Sequence, residues 1–335
     1  MNRVGAVVIG RNEGEKLRRC LLSVLDVAKP VVFVDSGSDD GSVDRARALC
    51  VEVLELDRSA PFTVARARNA GLARLTALAP EVEFVQFVDA DSEMVASWFP
   101  CASRELSGAR DLAIVFGRTE ERDPRRSIYH RLYQAEFDAQ AVRPDICGGM
   151  SMARVKALQE VDAFRSDMVG FEDHELCHRL HRAGWRVVRL DVAMVVHEAA
   201  MTRFTQWWQR QTRTGYARAH EAALHAGSPE RYRVRQCRSV WFWGWWLPLL
   251  AILPAAPTAG RSLGLLAGYP ALLLRIYRRL HGVGLGRGDA ALFAAACVLA
   301  KFPQALGQSR FHLRRMGARM RQLPPPESVR QPRGS

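Results

Sequence analysis

The sequence lacks several features that would assign it to a common class of small or secreted protein. No two of its seven cysteines form a C-x-x-C pair, and an odd, scattered set excludes a disulfide framework and a structural zinc ribbon. A secretory signal is also missing, because the apolar run Val4–Gly10 is short and charged residues follow it at once. We therefore expect reduced thiols and an N-terminal part that remains in the cytoplasm.

Acidic side chains are scarce in the C-terminal part. Residues 201–335 hold 21 basic and 4 acidic side chains, a net charge of +17, whereas residues 1–200 have a net charge of −4. The total of +13 therefore belongs to one segment, and long apolar runs interrupt that segment. This disfavours nucleic-acid binding, which needs a solvated basic face. A hydrophobic content of 48% over 335 residues excludes a disordered chain and predicts one large or two ordinary domains.

Short, continuously apolar segments alternate with helical patterns in the first 200 residues. The predicted buried strands are residues 4–9, 31–34, 84–88 and 192–196, and the predicted helices include 15–25 and 42–50. This alternation predicts an α/β fold with a mainly parallel sheet flanked by helices. Ligands of such sheets bind beyond the carboxyl ends of the strands. The candidate residues for chemistry therefore lie in 11–13, 35–42 and 89–91.

Carboxylates follow two of the predicted strands. Asp89 and Asp91 stand one residue apart, so both can approach one Mg²⁺ or Mn²⁺ ion, which prefers oxygen ligands and substrate phosphates. Asp35 ends another strand, where an acidic residue can accept hydrogen bonds from a ribose hydroxyl or a base edge. The structural alternatives are a solvated acidic loop for the first pair and helix capping for the residues after Asp35.

Three further positions carry side chains suited to a phosphate, an acceptor hydroxyl and a metal. Arg68 has a forked guanidinium that matches a phosphate, and an exposed helical arginine is the alternative. Glu172 and Asp173 begin a helix, where the helix dipole favours acidic residues and where one of them could be a general base. His197 follows an apolar strand and is either structural or a third metal ligand.

One pattern favours a different class of enzyme. Residues 174–178 match H-E-x-x-H, which is typical of zinc metalloprotease helices. The metzincin continuation is missing, and no clear helix supplies a downstream glutamate ligand. A zinc-dependent hydrolase is therefore the alternative function, and the simpler interpretation places these histidines on the polar face of an amphipathic helix.

Three apolar runs predict a membrane-associated segment over residues 221–322. The run 239–256 contains four tryptophans and follows four arginines, which favours a membrane interface over a buried core helix. With the run 262–274 it predicts a hairpin over residues 239–279. The third run, 290–306, contains a lysine and a proline, so we expect it to lie on or re-enter the cytoplasmic face. The alternative is that all three runs lie at the interface. Residues 323–335 are expected to be disordered.

Taken in order, the motifs resemble the family-2 glycosyltransferases with the GT-A fold. The matching stretches are V-I-G-R-N-E at 8–13, V-D-S-G-S-D-D-G-S at 34–42, A-R-N-A-G at 67–71, F-V-D-A-D at 87–91, G-G at 148–149 and E-D-H-E-L at 172–176. The resemblance covers roughly residues 4–220 and predicts a catalytic domain over 1–220. It implies a nucleotide-sugar donor, a divalent metal (Mg²⁺ or Mn²⁺) and inversion at the anomeric carbon.

The resemblance also implies a role for each candidate residue. Asp173 would be the general base and Glu172 would orient the acceptor. The nucleotide part of the donor would be held by Glu13, Asp35 and Arg68, and the ribose–diphosphate and metal by Asp89 and Asp91, with His197 as a further metal ligand. Ser36 stands where many members have a second aspartate, and Asp162-Ala163-Phe164 where many have Gly-Gly-Phe, so neither uridine nor the usual acceptor loop is implied.

The kind of acceptor follows from the same resemblance and from the C-terminal segment. The Q-x-x-R-W motif of the processive synthases is not matched, so single-sugar transfer is expected. The apolar, basic segment predicts a lipid-linked or membrane-proximal acceptor in cell-envelope polysaccharide or glycolipid synthesis. It also predicts a location on the cytoplasmic face of the plasma membrane, where anionic lipids attract arginines.

Overall fold

A computed structural model describes residues 4–139, 146–168, 170–227 and 233–322. The chain divides into two compact units, Met1–Trp207 with Leu266–Leu299, and Trp208–Leu265 with Ala300–Ser335. The first segment of the first unit ends at Trp207, whereas the predicted catalytic domain extends to residue 220, and that boundary stays a prediction. The predicted disorder of residues 323–335 lies outside the described residues.

The first unit contains an eight-stranded sheet. Its strands are β1 (Val4–Gly10), β2 (Val31–Asp35), β3 (Glu52–Glu55), β4 (Phe84–Asp89), β5 (Ser92–Met94), β6 (Leu112–Glu121), β7 (Ser151–Arg154) and β8 (Arg186–His197). They lie in the order β3-β2-β1-β4-β7-β6-β8-β5. β1 to β4 pair in parallel, as do β6 and β8, whereas β7 is antiparallel to both its neighbours and β5 is antiparallel to β8. The α/β prediction is confirmed, with a mixed sheet.

Helices accompany the sheet along the first part of the chain. They are α1 (Glu15–Leu25), α2 (Ser42–Ala48), α3 (Val64–Leu78), α4 (Trp98–Gly108), α5 (Ile128–Ala139), α6 (Val155–Glu160) and α7 (Glu172–Arg182). The buried face of α1 contains Leu17, Leu21 and Val24, but Leu22, which the periodicity assigns to that face, is exposed. Helix α3 lies close to β1 and β2 because Gly71 has no side chain, and a Cβ there would overlap Val7.

The remaining elements belong partly to each unit. They are α8 (Phe204–Leu224), α9 (Val234–Trp241), a π-helical turn (Phe242–Trp246), α10 (Leu247–Ile252), a 3₁₀ helix (Arg261–Ala267), α11 (Gly268–Gly282), α12 (Arg287–Leu299) and α13 (Lys301–Gln322). Helices α11 and α12 are part of the first unit, where Ala290 and Ala294 pack against Ala135 of α5. Arg131 of α5 also pairs with Asp289 at 2.8 Å.

The second unit is built around close contact between α8 and α13. A Cβ at Gly215 would overlap the backbone of Gln304, and one at Gly307 would overlap the backbone of Thr212. The charge of Glu221 on α8 is matched by Arg233, whose Nε lies 3.0 Å from Glu221 Oε2, and both side chains are buried. Glycines therefore allow α8 and α13 to pack closely, and a buried ion pair joins α8 to the start of α9.

The three apolar runs are helical in most of their length. Among the described residues, one helical stretch, Arg287–Met316, is long and apolar enough to cross a membrane, with a mean hydropathy of 1.5 and 39% of its apolar window buried. It contains the run 290–306, which the sequence pattern predicts to lie on or re-enter the cytoplasmic face. Length and composition alone are weak evidence of spanning, so the hairpin over 239–279 and the placement of the third run both stay predictions.

Candidate active site

Three parallel strands bring their carboxyl ends together at one edge of the sheet. In the register, Gly10 of β1 lies opposite Asp35 of β2, and Ile9 lies opposite Asp89 of β4. A cavity of about 370 Å³ lies at this edge. Its polar lining includes Arg11, Glu13, Ser36, Asp89 and Asp91, and the ring of Phe62 also faces it.

Glu13 lies in this cavity beside other carboxylates. Burial raises its pKa to about 7, and the charge of Asp91 adds to the increase, while Lys16 opposes it. A carboxyl group with this pKa is protonated in a substantial fraction of molecules at neutral pH. It can therefore donate a hydrogen bond to a ligand as well as accept one, which suits the predicted contact with the nucleotide part of a donor.

The carboxylate of Asp35 accepts its hydrogen bonds from the turn that follows it. Its side chain is 1% exposed, and Oδ2 accepts hydrogen bonds from the backbone N–H groups of Gly37 and Ser38, each at 2.8 Å. The hydroxyl of Ser38 bonds the other carboxylate oxygen. Among the described residues that line the cavity, Ser36 takes the place expected for Asp35. The donor-binding role of Asp35 stays a prediction, and its observed role is to shape the loop.

Arg68, on α3, forms ion pairs with candidate residues at the end of β4 and at the start of α7. Its side chain is 2% exposed, Nη1 lies 3.1 Å from Glu172 Oε1, and Nη2 lies 3.2 Å from Asp89 Oδ1. Nη1 also donates to Asp173. Burial alone would lower the pKa of the guanidinium, but the surrounding carboxylates, with Asp173 first, raise it above its ordinary value. One buried cation therefore holds three carboxylates together.

Gly149, the second residue of the glycine pair at 148–149, packs directly against the ion-paired guanidinium of Arg68. A Cβ on Gly149 would overlap the guanidinium of Arg68 and would lie 3.3 Å from Asp89 Oδ2. Glycine at this position therefore leaves space for the ion-paired group. The ring of Phe164 lies on another side of the guanidinium, 5.4 Å from its carbon, and adds a cation–π contact.

Glu172 and Asp173 lie at the start of α7, as the sequence predicts. Asp173 is 15% exposed, so little water solvates its charge. Burial raises its pKa to about 7, against the opposing attraction of Arg68. A carboxylate with a pKa near 7 that is within reach of a bound sugar has the properties of a general base at neutral pH.

Asp91 and His197 form a second centre beside this one. Oδ2 of Asp91 lies 3.4 Å from Nε2 of His197, and Nδ1 of His197 lies 2.8 Å from Oε2 of Glu121. Burial disfavours a charged imidazole, but the bonds to Asp91 and Glu121 outweigh it and raise the pKa of His197 to about 9. The same contact lowers the pKa of Asp91 in spite of its burial.

These residues fit part of a divalent-cation site. In the described part of the chain, no three His, Cys, Asp or Glu side chains are grouped closely enough to hold a metal by themselves. Asp91 and His197 converge from two strand ends, whereas Asp89 Oδ1 faces Arg68. Mg²⁺ and Mn²⁺ are commonly held by one or two protein ligands and completed by substrate phosphates and water, so the pair suits such an ion.

The H-E-x-x-H stretch does not assemble a zinc-protease centre. Its glutamate, Glu175, is fully buried and pairs with Arg179 at 2.7 Å on the same helix. Arg179 also donates to the backbone carbonyl oxygen of Ala163 at 2.6 Å, so this pair fixes α7 against the preceding loop. The ring of His174 packs on Phe171 at 4.9 Å. Glu175 and His174 of the motif therefore make packing and ion-pair contacts within the fold, and these contacts are not those of a zinc site.

Glu121 is a site residue that the sequence analysis does not identify. A signal for it exists, because the apolar stretch 112–116 reads as a strand and acidic residues end the same segment. Applying the strand-end rule to this stretch would select Glu121. Phe62 has no comparable signal, because it lies in a loop, although its ring forms a cation–π contact of 5.7 Å with Arg11, which the strand-end rule places in the candidate range 11–13.

Comparison with known families agrees with this geometry. Residues 6–162 match the model of Glycosyl transferase family 2. This part of the chain is a family 2 glycosyltransferase domain. The matched region contains most of β1, all of β2 to β7 and the candidate residues from Glu13 to Glu121. It confirms the predicted family, and Glu172, Asp173 and His197 lie C-terminal to it.

Two curated proteins are similar over parts of their length. A pre-mycofactocin glycosyltransferase of Mycobacterium tuberculosis is 29% identical over 237 residues, which are 66% of this chain and 48% of that protein. A TPR repeat-containing protein of Synechococcus elongatus is 30% identical over 146 residues, which are 44% of this chain and 33% of that protein. The matched part of this chain therefore spans about half the length, or less, of each of these curated relatives.

A solved structure extends the likeness beyond the matched region. The mannosyltransferase of Pyrobaculum calidifontis, determined in complex with GDP-Man and Mn²⁺, superposes with a TM-score of 0.58 at 20% identity. The similarity covers 89% of this chain and 86% of the other. At this identity the likeness concerns the fold, and the predicted GT-A fold is confirmed.

Proposed function

We propose that this protein is an inverting, metal-dependent glycosyltransferase that moves one sugar from a nucleotide-diphosphate sugar to an acceptor hydroxyl. The observation that carries the proposal is the contact of Arg68 with Asp89 and Asp173. This contact puts the carboxylate after β4 and the carboxylate at the start of α7 in one site. A family 2 domain, and the Mn²⁺ and GDP-Man bound by a mannosyltransferase of the same fold, support the proposal.

Direct displacement requires groups on both faces of the donor sugar. On one side Asp173 accepts the proton of the acceptor hydroxyl while that oxygen attacks the anomeric carbon, and Glu172 orients the hydroxyl. On the other side Glu13 binds the nucleotide part, with Asp91 and His197 as the cation ligands and Asp89 beside them. A divalent cation bound there supplies positive charge to the leaving nucleoside diphosphate. Attack and departure on opposite faces invert the anomeric centre. Arg68 is the buried counter-charge that joins Asp89 to Asp173, and its predicted contact with the nucleotide stays a prediction.

A thermal-shift titration tests the donor and metal parts together. We expect one nucleoside diphosphate, tested in a set including GDP and UDP, to raise the melting temperature only when Mn²⁺ or Mg²⁺ is present. A ligand that binds only the folded protein stabilises it by about 2.7 kcal/mol at 100 times its Kd. In Asp91→Ala the metal-dependent part of the shift should disappear.

Two results would contradict this assignment. The first is that no nucleoside diphosphate or nucleotide sugar changes the melting temperature with any of these ions. The second is that Asp91→Ala retains an undiminished metal-dependent shift, since Asp91 would then not be a ligand. The matched control is Asp111→Ala, because Asp111 is an exposed residue just before the start of β6 and pairs with Arg186 at the surface at 3.1 Å.

Exposed apolar side chains support a membrane-proximal acceptor. In the second unit the region Phe242–Leu265 exposes large hydrophobic residues, which soluble surfaces rarely cluster. The most exposed are Trp246 at 56%, Leu250 at 53%, Ile252 at 60% and Leu253 at 74%. Exposed arginines precede this region on α9, where they can contact anionic headgroups. We propose that this region enters the cytoplasmic leaflet and keeps the enzyme beside a lipid-linked acceptor.

Vesicle binding tests the membrane contact. Replacing Trp246, Leu250 and Leu253 together by serine should lower the partition coefficient onto phosphatidylglycerol-containing vesicles by about 100-fold. Each substitution removes roughly 1 kcal/mol of apolar burial in the bilayer, and 1.4 kcal/mol is a factor of ten. The melting temperature should change little, because these side chains are exposed in the protein.

A control triplet separates this effect from a general loss of hydrophobic surface. Serine at Leu22, Leu78 and Ile128, which are exposed on the first unit, should leave vesicle binding unchanged. Equal binding by the wild type and the first triple variant would contradict the proposed contact. Release of the protein from membranes by high salt alone would exclude the inserted form, since salt screens the arginines but not the apolar contact.

A further inference from the structure

A buried carboxylate lies behind the pair formed by Asp91 and His197. β6 ends at Glu121 and β8 ends at His197, and the two residues are partners in the parallel register. The side chain of Glu121 is 0% exposed. A carboxylate without water is stable only when hydrogen bonds or charges compensate it, so its contacts explain why it is there.

Each oxygen of Glu121 has its own donor. Oε1 accepts the backbone N–H of Ala199 at 3.0 Å, and Oε2 lies 2.8 Å from Nδ1 of His197. An ionised carboxylate only accepts hydrogen bonds, so Nδ1 of His197 carries the proton in this contact. The other ring nitrogen, Nε2, is then the one that faces Asp91, at 3.4 Å from its Oδ2.

Helix α5 contacts the ring of His197 and the backbone of Glu121. The rings of Tyr133 and Phe137 lie 5.3 and 5.6 Å from the imidazole of His197. Gln134 accepts the backbone N–H of Glu121 at 2.8 Å. These contacts leave His197 little freedom to rotate, so the direction of Nε2 is set before any ligand binds.

We propose that Glu121 is a positioning residue that sets the tautomer and ring orientation of His197, so that the Nε2 lone pair is presented to a divalent cation beside Asp91. Ligating histidines generally use their second nitrogen for such a bond, and its loss commonly weakens metal binding by about 10–100-fold. The inference rests on the proposed function, which makes His197 a ligand. It adds a residue that is not among those lining the cavity.

Glu121→Gln tests this role with almost no change in shape. If the glutamine oxygen keeps the bond to Ala199 N–H, its NH₂ group faces Nδ1 of His197. Nδ1 must then accept, which moves the ring proton to Nε2 and removes the ligating lone pair. We expect ¹⁵N NMR of the metal-free protein, recorded at a pH above the His197 pKa of about 9 so that the ring is neutral, to show the Nδ1–H form in the wild type and the Nε2–H form in this variant.

Metal binding provides the second readout. Mn²⁺ is titrated in the presence of saturating GDP or UDP, and free Mn²⁺ is followed by its EPR signal. The dissociation constant of Glu121→Gln should rise by about 10–100-fold. Glu121→Asp keeps the charge and accepting oxygens, so it should recover part of the affinity and retain the wild-type tautomer. Glu120→Gln, an exposed neighbour that faces Arg118, is the control and should match the wild type.

The outcomes separate this inference from the proposed function. If His197→Ala weakens Mn²⁺ binding but Glu121→Gln does not, the role of Glu121 is wrong and the ligand role of His197 stands. If His197→Ala binds Mn²⁺ as the wild type does, His197 is not a ligand and both statements fail. An unchanged tautomer in folded Glu121→Gln would overturn the inference by itself, and a Glu121→Asp variant that binds as the wild type would contradict the need for this geometry.

Discussion

Replacing Asp173 by asparagine is expected to lower the turnover number for sugar transfer by about 100- to 10,000-fold, which is the usual contribution of a general base. Asparagine has nearly the same shape and can still bond Arg68 through its oxygen. It cannot take a proton from the acceptor hydroxyl. Donor binding, measured as the metal-dependent thermal shift with the nucleoside diphosphate, should be unchanged, because Asp173 acts on the acceptor.

The pH dependence of transfer follows from the same residue. Burial raises the pKa of Asp173 to about 7, and only the ionised form accepts a proton. The rate should therefore fall as the pH decreases from 8 to 6, with an apparent pKa near 7. In Asp173→Asn the small residual rate should lose this dependence. The profile is measured as kcat for transfer at saturating donor and metal.

A control and a competing reaction make this test specific. Donor hydrolysis, measured separately from transfer, should fall less than transfer because water needs no positioned acceptor. Asp167→Asn is the control, because Asp167 is half-exposed and pairs with Arg165 on the loop before α7. If Asp173→Asn transfers the sugar at the wild-type rate, Asp173 is not the general base, and Glu172 becomes the candidate for that role.

The parts of the site that local sequence patterns predict are those at the ends of apolar strands. Asp89 ends β4, Asp91 follows it and His197 ends β8, and each strand is recognisable from the neighbouring residues in the chain. The start of a helix pattern predicts Glu172 and Asp173 in the same way. Local periodicity and strand-end placement suffice for such residues. The roles of these residues in catalysis stay predictions.

The contacts between these residues depend on the sheet order, which local patterns do not contain. Glu121 reaches His197 because β6 and β8 pair in parallel across 76 residues of sequence separation. β7 is only four residues long and antiparallel to its neighbours, so its periodicity is too short to predict its direction. Arg68 could be selected as a phosphate ligand, but its contact with Glu172 spans 104 residues.

Asp35 shows how a correct position can have a different local role. The strand-end rule correctly places it at the edge of the sheet, where it lies opposite Gly10. The rule does not include competition from the loop itself. Backbone N–H groups two and three residues later reach its carboxylate at 2.8 Å, as aspartate commonly permits in turns. Helix capping and turn formation were considered for its neighbours, and they apply to Asp35 as well.

Replacing Arg68 by methionine should lower the free energy of unfolding at pH 7 by about 3–5 kcal/mol, the usual cost of leaving a buried charge without its partner. Arg68 is 2% exposed and is the cation for Asp89, Glu172 and Asp173. Methionine fills a similar volume, so the loss reports on charge. The measurement is urea unfolding followed by circular dichroism.

The destabilisation should depend on pH with a definite sign. Without Arg68 the folded-state pKa values of Asp89 and Asp173 rise further above the unfolded value, which is 3.8 for aspartate. The folded protein then binds protons that the unfolded chain does not, so stability falls as the pH rises from about 4 towards the folded pKa. The difference from the wild type should therefore be small near pH 4 and largest at pH 7 to 8.

Two comparisons decide whether the missing charge is the cause. Arg74→Met, on the same helix, removes an arginine whose pair with Glu52 is exposed, and it should cost less than about 1 kcal/mol. Adding Asp173→Asn to Arg68→Met should recover stability, since it removes one uncompensated carboxylate. If Arg68→Met is as stable as the wild type at pH 7, or if its destabilisation does not vary with pH, Arg68 is not the buried counter-charge of the site. The same variant should also lose the metal-dependent thermal shift, because the carboxylates around the cavity would no longer be held in place.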